Sequence, residues 1–194
     1  MPEPFRIIGH RGDGAGPDEN TLASCRRAIT HGADAVELDV PLIAGELMLA
    51  HPPRQPKESL ETVLKGISCP AILHLKRRRF SRRHDLAALK QLARVTHRPG
   101  ITISSYWPGT LRHIRKRYPN TRRAMVTWWL GWDRHFADSL GVAEFHSWHR
   151  MLTACAIRKA DRPVIAFVPG ARNGFHRAGL AGVIADDVAG FAKR

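Results

Sequence analysis

Short apolar runs alternate with amphipathic segments along the whole chain. Strand-like runs fall at 5–9, 35–40, 71–76, 101–105, 123–128, 142–146, 163–168 and 182–186. Helix-period segments are expected between them at about 20–31, 58–67, 84–96, 108–118, 133–140, 148–160, 173–179 and 187–193. The clearest carries Leu60, Val63, Leu64 and Ile67 at helical spacing behind an N-cap candidate, Ser59. Leu86, Leu89 and Ala93 stripe the next. Regular alternation of strands and helices selects a parallel sheet. Eight units of about 24 residues each close a (β/α)8 barrel at the compact end of its range. The expected fold class is therefore α/β, a TIM barrel, formed by one domain over residues 1–194.

A ninth strand-like run, Glu46–His51, follows Val40 after only five residues, Pro41 to Gly45. That is too short for a parallel crossover, so the run predicts a small hairpin arm after strand two. Such an arm folds His51 back over the C-terminal mouth of the barrel, the end where enzymes of this architecture keep their chemistry.

The polar exceptions to the apolar pattern fall at strand ends. In Ala35-Val36-Glu37-Leu38-Asp39-Val40, Glu37 and Asp39 share one face while Val36, Leu38 and Val40 share the other. Two like charges at close range in a packed interior call for a cation or basic groups to neutralise them, so the pair is a candidate oxygen-ligand site for a divalent metal. An edge strand with a solvated acidic face would give the same local pattern. His74 and Lys76 repeat the spacing at the end of strand three, with Leu73 and Leu75 opposite. Gly9-His10-Arg11-Gly12 ends strand one, and Asn20 or Thr21 is placed to cap the helix that follows. A lone histidine at a strand end is ordinarily structural. Several ionisable groups gathered at one barrel mouth point to function.

Charge and cysteine content narrow the setting. The net charge of +14 implies anionic company, whether phosphorylated substrates, an anionic membrane surface or nucleic acid. Its densest run is Lys76-Arg77-Arg78-Arg79-Phe80-Ser81-Arg82-Arg83, which leaves strand three at the catalytic rim. Few aromatic residues interleave with the basic ones, which disfavours single-stranded nucleic acid. Trp128, Trp129 and Trp132 follow a later strand at the same face and are candidates for an apolar wall, although aromatics beside a strand are more often core. Three widely spaced cysteines in no ligand pattern, and no signal-like or membrane-spanning run, lead to the expectation of a cytoplasmic protein.

At the residues just described the chain resembles the glycerophosphodiester phosphodiesterase family. That family shows a His-Arg-Gly, a short loop to Pro-Glu-Asn-Thr, then Gly-Ala-Asp leading into Glu-x-Asp-Val. Here His10-Arg11-Gly12, Glu19-Asn20-Thr21, Gly32-Ala33-Asp34 and Glu37-Leu38-Asp39-Val40 keep the spacing, with Pro17 displaced by one place. The similarity continues through His51, Leu75-Lys76, Ser104-Ser105-Tyr106 and Gly182-Val183-Ile184-Ala185-Asp186. The resemblance implies metal-dependent hydrolysis of glycerophosphodiesters to glycerol 3-phosphate and an alcohol, through a cyclic phosphate. It further implies His10 and His51 as general acid and base, and Arg11 and Lys76 on the phosphate. Calcium or magnesium would sit on Glu37 and Asp39.

Three positions depart from the family pattern. His74 stands where the family has a third metal carboxylate, Pro52 follows His51 in place of an aspartate, and Phe167-Val168-Pro169-Gly170 replaces a Trp-Thr-Val-Asn segment. With His74 as third ligand the site shifts toward manganese or zinc, because imidazole is a softer, neutral donor. Two alternatives stand beside hydrolysis of a small phosphodiester. One is a sphingomyelinase D-like phospholipase, disfavoured by Glu19-Asn20-Thr21. The other is a non-catalytic barrel that binds anionic lipid or nucleic acid.

Overall fold

β1 (Arg6–His10) pairs in parallel with both β2 (Ala35–Ile43) and β9 (Gly182–Ala185), and this double pairing closes the sheet on itself. The structure is a computed structural model describing residues 4–14, 16–43, 46–51, 55–56, 58–76, 90–130, 134–169 and 179–192. Around the ring from β2 come β4 (Ala71–Lys76), β5 (Ile101–Ser105), β6 (Arg122–Thr127), β7 (Glu144–Trp148) and β8 (Val164–Val168), every neighbour parallel. These eight parallel strands form the closed barrel that the alternating pattern predicts.

β3 (Glu46–Leu47) is antiparallel to the end of β2, pairing Leu42 with Leu47 and Ile43 with Glu46. The same register continues as Met48 N–H donates to Pro41 O (3.1 Å) and Ala50 N–H to Asp39 O (3.2 Å). The returning chain thus delivers His51 beside Asp39.

The helices are α1 (Leu22–Thr30), α2 (Leu60–Gly66), α3 (Pro108–Arg117), α4 (Ala137–Leu140), α5 (Ala154–Lys159) and α6 (Val188–Ala192). Thr21, not Asn20, caps α1, in a box where Thr21 Oγ1 accepts from Ser24 N–H and Ser24 Oγ accepts from Thr21 N–H. Ser59 caps α2, its hydroxyl accepting from Thr62 N–H at 3.1 Å. Two predicted helices are shorter than their periodicity implied. The 133–140 segment opens as a 3-10 turn at Arg134–Phe136, and in 148–160 the strand runs on to Trp148 before a 3-10 turn and α5. In the second case Thr153 supplies the true N-cap, accepting from Ala156 N–H. Residues 84–89 of the predicted helix at 84–96, most of that at 173–179, the basic residues 77–83 and Trp132 lie outside the described residues, and within 90–96 the helix ends at Leu92.

Strand parity divides the interior into layers. Outward-facing Val36, Leu38, Leu73 and Ile103 pack under helices on one side, while Met125, Phe145 and Val183 do so on the other. Inward, Ile8, Ala35, Ile72, Ile165 and Ile184 form one compact cluster inside the ring. Each buried isoleucine there stabilises the fold by about 2 kcal/mol over an exposed one. Below this cluster Glu144 is fully buried, with Arg6 Nη2 at 2.6 Å, Arg122 Nη2 at 2.9 Å and His146 Nε2 at 2.9 Å. Above it, two residues further along the same strands, stand His10, Glu37, His74, Phe167 and Asp186. The inward period of two therefore carries a charged floor, an apolar plug and a polar mouth.

Candidate active site

The turn that leaves β1 is built by glycine at two close approaches. A Cβ on Gly9 would lie 2.0 Å from Gly12 O, and one on Gly12 would lie 2.3 Å from Ser24 Oγ, with Gly12 at φ +91°. Between them Arg11 takes φ 55°, a left-handed conformation that costs a non-glycine residue about 1–2 kcal/mol. Polar contacts offset that strain. Arg11 N–H donates to Glu37 Oε2 (3.3 Å), and its guanidinium reaches Glu19 Oε2 (2.7 Å) and Asp39 Oδ2 (3.0 Å). Burial opposes the guanidinium charge, but Glu19, Asp39 and Glu37 outweigh it and raise the Arg11 pKa. Asn20, also at positive φ (59°), accepts Asp39 N–H on its side-chain oxygen at 2.8 Å.

Glu37, Asp39 and His74 converge under the mouth, all essentially buried, with one donor atom from each lying within 4.8 Å of the others. His74 Nδ1 is 3.5 Å from Glu37 Oε1 and 3.6 Å from Asp39 Oδ1. Lys76 Nζ is 2.8 Å from Asp39 Oδ1. Burial pushes the Asp39 carboxyl up, yet His74 and Lys76 more than reverse this and hold it below the usual carboxylate range.

These residues fit a divalent cation. Ligand oxygens stand about 2.0–2.6 Å from such an ion, so two donors on one ion are at most about 5 Å apart, and the three residues meet that limit. Glu37 Oε1 and both Asp39 carboxylate oxygens are buried without a well-directed hydrogen bond.

His10 stands at the rim of this cluster. Its Nδ1 is 2.6 Å from Asp186 Oδ1, its Nε2 is 3.9 Å from Glu37 Oε2, and its ring meets Phe167 edge-on at 5.2 Å. The carboxylate fixes the tautomer and turns Nε2 toward the mouth. His51 lines the same cavity of about 170 Å³, with His10, Arg11, His74, Lys76, Tyr106 and Trp128 among its walls. Burial, with Arg11 and Lys76, pushes the His51 imidazole down against the pull of Asp39. Of the residues singled out from sequence, His10, Arg11, His51, His74 and Lys76 line this cavity, while Glu37 and Asp39 are buried behind it against Arg11, His74 and Lys76.

The structure adds residues the local sequence did not assign. Asp186 orients His10, Glu19 and Asn20 brace Arg11 and β2, and Tyr106, Trp148 and Phe167 line the mouth. Asp186 could have been found by parity, since it stands two residues beyond Ile184, as Glu37 does beyond Ala35. Trp128 lines the cavity as anticipated, whereas Trp129 lies outside it, 69% exposed. Arg11 and Lys76 are in the mouth, but here their charges are directed at Asp39.

All three cysteines are free, and burial pushes the Cys25 thiol up to about 12. Among the described residues no helix is long and apolar enough to cross a membrane.

Residues 10–54 match the model of the glycerophosphoryl diester phosphodiesterase family. A segment of 46 residues is 48% identical to a glycerophosphodiester phosphodiesterase of Caldanaerobacter subterraneus subsp. tengcongensis and makes up 23% of this chain and 19% of that protein. The whole barrel is similar to solved structures. A glycerophosphodiester phosphodiesterase of Thermotoga maritima superposes with TM-score 0.76 at 18% identity, over 100% of this chain and 99% of the other. A phosphodiesterase of Oleispira antarctica, solved in complex with the product sn-glycerol-3-phosphate, gives 0.77 at 19%, over 93% and 92%. The signature from His10 to Asp39 lies inside the segment that resembles the glycerophosphoryl diester phosphodiesterase family, and the closed barrel that carries it has the fold of the solved phosphodiesterases.

Proposed function

We propose that this chain is a single-domain, metal-dependent phosphodiesterase that hydrolyses glycerophosphodiesters to glycerol 3-phosphate and an alcohol. One observation carries the reading: His10 and His51 line one cavity with His74, which belongs to the buried Glu37-Asp39-His74 donor set behind it. In the net reaction the bond from phosphorus to the leaving alcohol oxygen breaks and a bond to a water-derived oxygen replaces it. One proton leaves the attacking hydroxyl and one reaches the departing alcohol.

His10 and His51 are the pair that moves these protons. Asp186 holds His10 at Nδ1 and leaves Nε2 to face substrate, and His51 comes from the returning arm. Arg11 and Lys76, both on the cavity wall, bind the phosphoryl oxygens. Glu37, Asp39 and His74 would hold the cation, which would supply Lewis-acid stabilisation of charge on the phosphate. A mixed oxygen and nitrogen donor set favours manganese or zinc over the calcium or magnesium of an all-carboxylate site. The phosphodiester is the partner, and the free cysteines support a reducing, cytoplasmic setting.

The test is release of glycerol 3-phosphate from glycerophosphocholine and related diesters by metal-stripped protein after return of calcium, magnesium, manganese or zinc. Activity should reappear with at least one metal and fall at least a hundredfold in His10→Ala and Glu37→Ala. Absence of turnover with all four metals would refute the reading.

A further inference from the structure

The large hydrophobic side chains most exposed among the described residues are Trp129 (69%), Trp128 (48%), Phe136 (40%), Tyr106 and Met151. All five belong to segments that leave the C-terminal ends of strands. Tyr106 follows β5, Trp128, Trp129 and Phe136 follow β6, and Met151 follows β7. A scatter of single exposed apolar residues is ordinary, but confinement to one third of one rim is not. Basic side chains stand at this rim, exposed Arg150 next to Met151, and the exposed Asp138 that follows Phe136 is paired with Arg162. The whole chain carries +14.

The aromatic rim is continuous with the site. Tyr106 packs on His74 with ring centres 5.2 Å apart, Trp128 stacks on Tyr106 at 6.1 Å with an interplanar angle of 10°, and Trp148 follows at 6.2 Å. Rings therefore lead from a candidate metal ligand out to solvent. Tryptophan and tyrosine favour the boundary between lipid headgroups and acyl chains, and basic side chains favour an anionic surface.

We infer that the β5–β7 rim docks on an anionic lipid bilayer, with Trp129 inserting at the headgroup level, so that the mouth faces phosphodiesters presented by the membrane. The choice of a bilayer over another partner rests on charge complementarity and on aromatic tips spread over three separate crossovers. This deepens the phosphodiesterase reading by naming where its substrate is held, but docking itself needs no turnover and is measured without it.

The experiment is flotation of the full chain with vesicles of phosphatidylcholine alone and of phosphatidylcholine containing phosphatidylglycerol, at low and high salt. Wild type, Trp129→Ala and Trp129→Phe are compared, each with a thermal melt and with turnover of soluble glycerophosphocholine. Binding should require the anionic lipid and weaken with salt. It should fall about tenfold in Trp129→Ala and largely return in Trp129→Phe, while soluble turnover and melting stay at the wild-type level. Equal binding to neutral vesicles, equal binding by Trp129→Ala, or no binding would each overturn the inference. A chain that binds anionic vesicles through Trp129 yet releases no glycerol 3-phosphate would retain the docking surface and lose the catalytic reading. One that turns over the soluble diester and ignores vesicles would do the reverse.

Discussion

His10 and Asp186 meet across 176 positions of sequence, Nδ1 to Oδ1 at 2.6 Å, because β1 and β9 lie side by side in the closed barrel. Pro52 follows His51 in the sequence, and among the described residues His10 is the one of the two proposed proton carriers with a carboxylate on its ring. Removing the charge while keeping the shape isolates that role. Asp186→Asn should lower kcat by about ten- to a hundredfold with little change in KM or melting temperature, and should alter the pH profile of kcat. An unchanged profile would make Asp186 a structural residue only.

His74 is the substitution that separates this donor set from an all-carboxylate one. His74→Glu adds a hard anionic oxygen beside Glu37 and Asp39, where Lys76 and Arg11 already supply compensating charge. Calcium and magnesium should then bind about tenfold more tightly by calorimetry, and the preference for zinc should decline.

The turn after β1 tolerates no side chain at Gly12. Gly12→Ala combines φ +91° with a Cβ only 2.7 Å from the Ser24 carbonyl carbon. We expect a loss of about 2 kcal/mol or more in denaturant unfolding, and weaker metal binding because Arg11 is displaced from Glu37.

The barrel floor sets the acid limit of the fold. Burial pushes Glu144 up, but His146 and Arg6 outweigh it and hold the carboxyl well below its ordinary value. A depressed carboxyl adds stability that is fully present above its unfolded pKa of about 4.3 and is lost as pH falls toward the folded value. Wild type should therefore lose stability below about pH 4. Glu144→Gln should be less stable at pH 7 by about 3 kcal/mol, at the low end for a buried pair because Arg6 and Arg122 reach water. Its stability should then change less between pH 5 and pH 3, as read from urea midpoints.

Hydrophobic periodicity by itself determined the eight strands and their order of appearance, since runs such as Ala35–Val40 and Ala71–Lys76 can only alternate their faces. It also determined which polar residues stand inward at the mouth, because Glu37, Asp39, His74 and Lys76 keep the parity of the buried residues before them. Helix lengths were less legible. The segments after β6 and β7 begin with 3-10 turns whose hydrogen bonds depend on neighbours rather than on spacing. Tertiary structure alone decided what joins across the closure. Only the pairing of β1 with β9 brings Asp186 to His10, and only the chosen register of the arm brings His51 to Asp39. It also decided that Arg11 and Lys76 rest on Asp39 and that the exposed aromatics gather on one rim. A linear pattern specifies which face a side chain takes, whereas its partner across the barrel depends on closure and register, which no local spacing encodes.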